Sequence, residues 1–337
     1  MKSFTISQVF EGFILDKQAA SKSASTISNY RVTFSKVTLW LETTRPKDPD
    51  PEFITLTRQD WVHFMTWVQS DFTSNPGGVA PRASKPLSQK SLLNIHTDLS
   101  ALYTWATADG VNLVEKHLFR TIERPEADTP IIEVFTRDQV RDLLKACKTS
   151  RPWHNDENVS NARPTSVRDQ CIILLLLSTG IRASELCEIK FKDIDMTERS
   201  ITVAGKGRGQ GKKQRLVRFG KSTGRMLWRY LSPSLKTIKS DDVIFTVGPD
   251  DAPRPMNRDI LWKLLHRLGE RAGVDAHPHK FRHTFATNYL RNGGDLLTLQ
   301  ALLGHTSLEM VKRYTQIVST DCAREHEKAD PVDNWKI

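Results

Sequence analysis

Four stretches of this sequence gather side chains that handle anions and protons. The first is Ser178-Thr179-Gly180-Ile181-Arg182-Ala183-Ser184-Glu185-Leu186. Gly180 permits a tight turn, and Arg182 then opens a helix with its planar fork able to face an anion. Glu185, one turn on, would hold that fork; the same pair also reads as an ordinary surface contact. The second is His277-Pro278-His279-Lys280-Phe281-Arg282-His283, where His279 and Arg282 share a helical face. His279 and His283 have a spacing that zinc can use, but Lys280 stands where a zinc helix needs Glu and no cysteine is near, so no metal is expected. Phe281 and Phe285 read as core. The third is the glycine-rich run Ala204-Gly205-Lys206-Gly207-Arg208-Gly209-Gln210-Gly211-Lys212-Lys213. Its glycines match neither a P-loop nor a dinucleotide fingerprint, so no nucleotide cofactor follows. It reads as a solvated hairpin tip or as a mobile arm that carries one lysine to a phosphate. The fourth is Leu302-Leu303-Gly304-His305-Thr306-Ser307, followed by Tyr314. Gly304 breaks one helix and Ser307 starts another, a helix-turn-helix pattern. Tyr314 is either a nucleophile or a core aromatic with a satisfied hydroxyl.

The elements that must position these residues fall into two parts. The N-terminal part reads as all-helical. Ile27, Tyr30, Phe34, Val37 and Leu41 form one apolar stripe. Thr57 and Asp60 form a capping box that opens a helix through Trp67. Residues 72–86 form a loop, and a helix over 88–108 turns Leu92, Ile95, Leu99 and Leu102 inward until Asp109-Gly110 ends it. A short helix is predicted over 113–119. Residues 121–135 hold two prolines and no helical period, as a linker does. Thr136 and Gln139 then cap a helix over 138–147, and 148–165 is a surface loop. A buried helix spans 167–179, and strands at 200–203 and 215–219 flank the glycine-rich tip. The rest is mostly helical.

Composition narrows the partners. The 337 residues carry a net charge of +10, and residues 1–130 are neutral, with 14 basic and 14 acidic side chains. The excess therefore lies downstream. Between Arg199 and Ser240 there are twelve Lys or Arg and no Asp or Glu, as on a phosphate-backbone binder or a plain solvated face. No apolar run reaches membrane length, and the first residues lack a signal-peptide core, so a cytoplasmic protein is expected. Cys147, Cys171, Cys187 and Cys322 show no CxxC spacing and read as reduced thiols.

Taken in order, these motifs resemble one family. Thr179-Gly180-Ile181-Arg182 with Glu185-Leu186, then Gly205-Lys206-Gly207, His279 with Arg282-His283, Leu303-Gly304-His305, and Tyr314 nine residues after His305 look like the signature of tyrosine site-specific recombinases, the phage integrases. The resemblance covers at least residues 136–316. It implies an α+β multidomain protein: an all-α, SAM-like core-binding domain over 1–122, a linker over 123–135, and a mostly α catalytic domain with a small β-sheet over 136–318. The pair would close as a C-shaped clamp, and a tail over 319–337 would pack on a neighbouring protomer.

The same resemblance assigns roles. A tyrosine hydroxyl has a pKa near 10, so about a thousandth is phenolate at neutral pH. Attack on a DNA phosphodiester then needs cations, a base, or both. Arg182 and Arg282 would neutralise the phosphate, and His305 would donate a hydrogen bond to it. His279 would assist proton transfer at Tyr314, and Lys206 would protonate the leaving 5′-oxygen, with Lys212 and Lys213 as rivals. Glu185 and His283 would orient the arginine and histidine. Arg31, Lys85, Lys90, Arg208, Lys212, Lys213 and Arg215 are the expected DNA contacts. The 3′-phosphotyrosyl link keeps the ester energy, so no ATP, metal or other cofactor is expected. The implied partners are double-stranded DNA with specific recombination sites and, on that DNA, a homotetramer that off DNA is a monomer or weak oligomer. The chain starts almost directly at core-binding helices, which favours a simple recombinase or a compact mobile-element integrase. Two rivals are a type IB topoisomerase, which relaxes supercoils as a monomer, and a non-catalytic helix-turn-helix regulator.

Overall fold

Residues 4–70, 72, 86–127, 132–149, 162–205, 214–249, 252–304, 311 and 314 are described in the computed structural model. The chain divides into two compact units, Met1–Pro130 and Ile131–Ile337.

The described part of the first unit is helical. Its helices are α1 (Ile6–Ala19), α2 (Ala24–Thr44), α3 (Arg58–Ser70) and α4 (Gln89–Ala106). Short polar side chains start them: Thr5 caps α1 with Gln8 in a full capping box, and Ser23 and Ser88 cap α2 and α4. Thr57 and Asp60 exchange hydrogen bonds at the start of α3, as their spacing predicts. The α4 stripe of Leu92, Ile95, Leu99 and Leu102 is buried. It meets an aromatic core in which Phe10 stacks on Phe34 and the Trp61 indole donates to the Tyr103 hydroxyl at 2.7 Å. That bond satisfies two polar atoms that full burial would otherwise strand.

The helix predicted over 113–119 does not form; a 3-10 turn at Leu118–Arg120 stands there instead. Asn112 turns left-handed, and the amides of Leu113 and Val114 fold back onto the Ala106 carbonyl. The His117 ring then binds Ser100 O and Thr104 Oγ1 on α4. These contacts tie residues 112–117 back onto α4 in a non-helical path, and only the 3-10 turn follows.

The second unit packs helices around α6 (Ser166–Thr179), whose Cys171, Ile172, Ile173, Leu175 and Leu176 are all buried. Before it lies α5 (Arg137–Ala146), opened by the Thr136–Gln139 capping box. After it come α7 (Ala183–Cys187), β1 (Ile194–Asp195), β2 (Ser200–Ala204) and β3 (Gln214–Arg218). The three strands form one antiparallel sheet in the order β1-β2-β3, with Ile201 opposite Val217. Further on are α8 (Lys221–Leu231), a two-stranded ribbon of β4 (Thr246–Val247) and β5 (Arg254–Pro255), α9 (Arg258–Ala272), α10 (Pro278–Arg291) and α11 (Leu296–Leu303). α6 packs on α8 and α10, and α5 packs on α9. Cys147, Cys171 and Cys187 are free and buried, and burial raises all three thiols above their usual range. Phe281 is fully buried beside Phe135, as its sequence context suggests. Among the described residues no helix is long and apolar enough to cross a membrane.

Candidate active site

Three arginines from three separate elements meet at the C-terminal end of α11. The last carbonyls of a helix lack intrahelical partners and carry the negative end of its dipole. Here the carbonyls of Leu302, Leu303 and Gly304 accept from Arg215 Nε (2.7 Å), Arg282 Nη2 (2.7 Å) and Arg182 Nη2 (3.1 Å). Each arginine is delivered differently. α6 stops at Gly180, which sits at φ 61° with Phe285 so close that a Cβ would lie 2.2 Å from its ring. Only glycine meets both demands, and the turn it makes places Arg182 at the N-cap of α7. Arg282 lies on α10 beneath that turn, where Nη1 donates to the Gly180 carbonyl at 2.8 Å. Arg215 enters from β3.

One carboxylate ties the group together. Glu185 Oε2 accepts the Arg182 backbone N–H at 2.7 Å, and Oε1 accepts Arg182 Nη1 at 2.8 Å. Arg215 grips both oxygens, Nη1 to Oε1 and Nη2 to Oε2, each at 2.8 Å. Burial pushes the Glu185 carboxyl up, but the hydrogen bonds from Arg215 and Arg182 outweigh it and hold the group down at about 2. Burial, and then the like charge of Arg182, pull Arg282 down to about 10, so it is still a cation at neutral pH. Three guanidiniums around one carboxylate leave a formal surplus of two positive charges. Such a preorganised, largely buried cluster suits an anion that gains charge during a reaction.

Tyr314 stands at the edge of this cluster. It is 3% exposed and packs with Ala286, Leu299, Leu303 and Val311. Its hydroxyl lies 2.9 Å from Nδ1 of His283, the residue after Arg282 on α10. Tyr314 is near enough to Arg282 for a phenolate there to favour the arginine's charged form. By the same linkage, Arg282 favours the phenolate.

The family resemblance implies a proton-handling role at Tyr314 for His279 and an orienting one for His283. The structure puts His283 on the hydroxyl, with the exposed His279 ring beside it at a centroid distance of 6.5 Å. Arg182, Glu185, Arg282, His283 and Tyr314 are brought together. Arg215, expected among the DNA contacts, instead turns inward with its side chain 12% exposed. Arg31 forms an exposed, two-pronged pair with Glu11, and Lys90 is exposed at the start of α4. Lys85, Lys206, Arg208, Lys212, Lys213 and His305, the helix restart at Ser307 and the tail 319–337 lie outside the described residues. Among the described residues no three His, Cys, Asp or Glu side chains gather as a metal site. Sequence reasoning missed Arg215 as a partner of Glu185; no spacing links positions 30 residues apart.

The sequence profile of the phage integrase family matches residues 133–320, more than half of the chain. The chain belongs to the phage integrase family, the tyrosine site-specific recombinases. Members are enzymes that transfer DNA strands. Tyrosine recombinase XerA of Thermococcus kodakarensis is 32% identical over 214 residues, 63% of this chain and 68% of the relative. Tyrosine recombinase XerD of Listeria innocua is 28% identical over 302 residues, 88% of this chain and 89% of the relative. Among solved structures, the Tn1549 transposon integrase in complex with transposon right end DNA superposes with a TM-score of 0.69 at 18% identity, covering 97% of this chain and 99% of that one. The mostly helical architecture with small sheets is thus the integrase fold.

Proposed function

We propose that this recombinase cuts and rejoins double-stranded DNA at specific sites through a covalent bond between Tyr314 and a 3′-phosphate. The observation that carries the reading is the Tyr314 hydroxyl held by His283 at 2.9 Å, next to the buried guanidinium of Arg282. The phenol oxygen attacks phosphorus, and the bond to the 5′-oxygen breaks. The phenol proton passes to Nδ1 of His283, with His279 alongside as the second imidazole. Arg182 and Arg282 neutralise the charge that gathers on the phosphate oxygens. Each uses two of its five N–H donors on protein oxygens among the described residues, which leaves donors for the phosphate. His305 adds a further hydrogen bond, and Lys206 on the β2–β3 hairpin protonates the leaving 5′-oxygen. Rejoining is the reverse step. The phosphotyrosyl ester conserves the bond energy, so no nucleotide is consumed.

In this reading residues 136–318 are catalytic, 1–122 grip the core site and 123–135 link them. The family profile over 133–320 and the division of the chain after Pro130 support those limits. The working form on two DNA sites is a homotetramer to which each tail, 319–337, contributes. The biological setting is integration and excision of a mobile element, or resolution of DNA, in the cytoplasm.

A duplex with a nick beside the cleavage point tests the chemistry, because the short 5′-fragment diffuses away and traps the covalent state. Wild type forms a complex that runs slowly on a denaturing gel, and Tyr314→Phe forms none. A trapped complex with Tyr314→Phe would overturn the assignment.

A further inference from the structure

The β2–β3 hairpin and the first catalytic arginine are joined by one side chain. We infer that Arg215 is a positioning residue that sets Arg182, through Glu185, and fixes the backbone leading into His305. The inference rests on the proposed strand-transfer reaction.

Arg215 is the second residue of β3, just after the glycine-rich tip. Its guanidinium engages three acceptors: both oxygens of Glu185 at 2.8 Å and the Leu302 carbonyl at 2.7 Å. A bidentate fork of this kind fixes orientation as well as distance, which lysine cannot do. The far end of Glu185 is what Arg182 leans on, by backbone N–H and by Nη1. The Leu302 carbonyl lies three residues before His305. Gly304 shows that the route is built for this side chain. A Cβ there would sit 3.2 Å from Cδ, Nε and Nη1 of Arg215, at a φ of 62° that favours glycine. The Gly304 that the family signature places before His305 is therefore also the gap through which Arg215 passes.

The arrangement acts on charge too. Glu185 left alone with Arg182 would neutralise it. Shared with Arg215, the carboxylate leaves the cluster its surplus positive charge for a phosphate. With three of its five donors engaged inside the protein and its side chain largely buried, Arg215 is committed to protein acceptors.

The test separates binding from cleavage on the nicked duplex. Arg215→Met and Arg215→Lys are compared with wild type for DNA affinity by fluorescence anisotropy and for single-turnover cleavage at saturating protein. Affinity stays within about threefold, while cleavage falls about 100-fold for Met, the scale of a roughly 1 Å misplacement, and less for Lys. In a Glu185→Gln background the further loss from Arg215→Met shrinks to a few-fold, because the link it acts through is already broken. If Arg215→Met fails to fold by circular dichroism, Arg215→Lys, which keeps stem and charge, decides. Weakened DNA binding with an unchanged saturated cleavage rate would make Arg215 a DNA contact and overturn the inference, as would full additivity with Glu185→Gln. Wild type that traps no DNA fells the proposed reaction and this role with it. Wild type that traps DNA alongside equally fast Arg215 variants fells this role alone.

Discussion

Among the described residues of the C-terminal unit two carboxylates are buried, and their surroundings differ. Asp169, fully buried in the first turn of α6, receives Arg168 Nε and Nη2 on one oxygen and Arg163 Nη2 and Thr165 Oγ1 on the other. Arg168 Nη1 continues to the Thr246 carbonyl on β4. Glu185 is almost as buried, but it serves Arg182 and Arg215, with Arg282 beside them. The first cluster ties a helix start to a strand and its neighbouring loop. The second hangs three cations on the end of a helix, and a tyrosine stands beside them. Both are buried ion networks, so burial alone does not mark function. What separates them is a larger surplus of charge, two around Glu185 against one around Asp169, and a tyrosine hydroxyl beside the second cluster.

The largest expected effect breaks the first cluster. Asp169→Ala leaves two largely buried arginines without their carboxylate, a loss of about 3–5 kcal/mol of stability by the usual scale for breaking a buried pair. Urea unfolding checks it. Cleavage of the nicked duplex, measured at a temperature where the variant is folded, stays within about twofold of wild type. A cleavage defect in folded Asp169→Ala would erase the distinction between the clusters.

Arg282→Met makes the complementary break. It removes the guanidinium buried beside Tyr314 and is expected to lower single-turnover cleavage by about 10²–10³, the cost of one lost charge-stabilising donor in a preorganised site. Its thermal midpoint falls less than that of Asp169→Ala, because burial works against the Arg282 charge and a neighbouring cation repels it. A variant that loses stability but keeps its cleavage rate would move Arg282 into the structural class.

Local contacts are legible in the sequence and distant ones are not. The capping boxes at Thr57–Asp60 and Thr136–Gln139 and the α4 stripe rest on contacts within one helical turn, so spacing alone reveals them. Strands β2 and β3 were readable to within a residue or so because alternation and the glycine-rich tip bracket them. The turn at Gly180 and the placement of Arg182 before Glu185 were likewise local. The two clusters themselves were not. Arg168 reaches Thr246 across 78 positions, Arg215 reaches Leu302 across 87, and Arg182 reaches Gly304 across 122. The choice between His279 and His283 at Tyr314 depends on how α10 is rotated against Val311 and Tyr314, and both histidines share one helical face. The failed 113–119 helix also involves contacts beyond one turn: Asn112 turns left-handed and the His117 ring binds back to Ser100 and Thr104 on α4.

The smallest effect is the share of the acid sensitivity that Glu185 carries. The carboxyl sits at about 2 in the folded protein against an ordinary 4.5. A depressed acid contributes stability above its unfolded pKa and loses it as pH falls toward the folded one. Glu185 therefore contributes about 3 kcal/mol that is fully present above pH 4.5 and fades between there and pH 2. Glu185→Gln keeps the size and one hydrogen-bond acceptor but cannot be charged. Near pH 6 it should melt well below wild type, and the gap between the two should close steadily as the melts are repeated from pH 5 down to pH 3. Cleavage adds a second reading, because the variant still holds Arg182, Arg215 and Arg282 yet lacks the anion that orients the first two. If the stability gap stays constant across that range, the three arginines are held by their backbone carbonyls alone, and the contrast with Asp169 must be redrawn around Leu302, Leu303 and Gly304 rather than around a carboxylate.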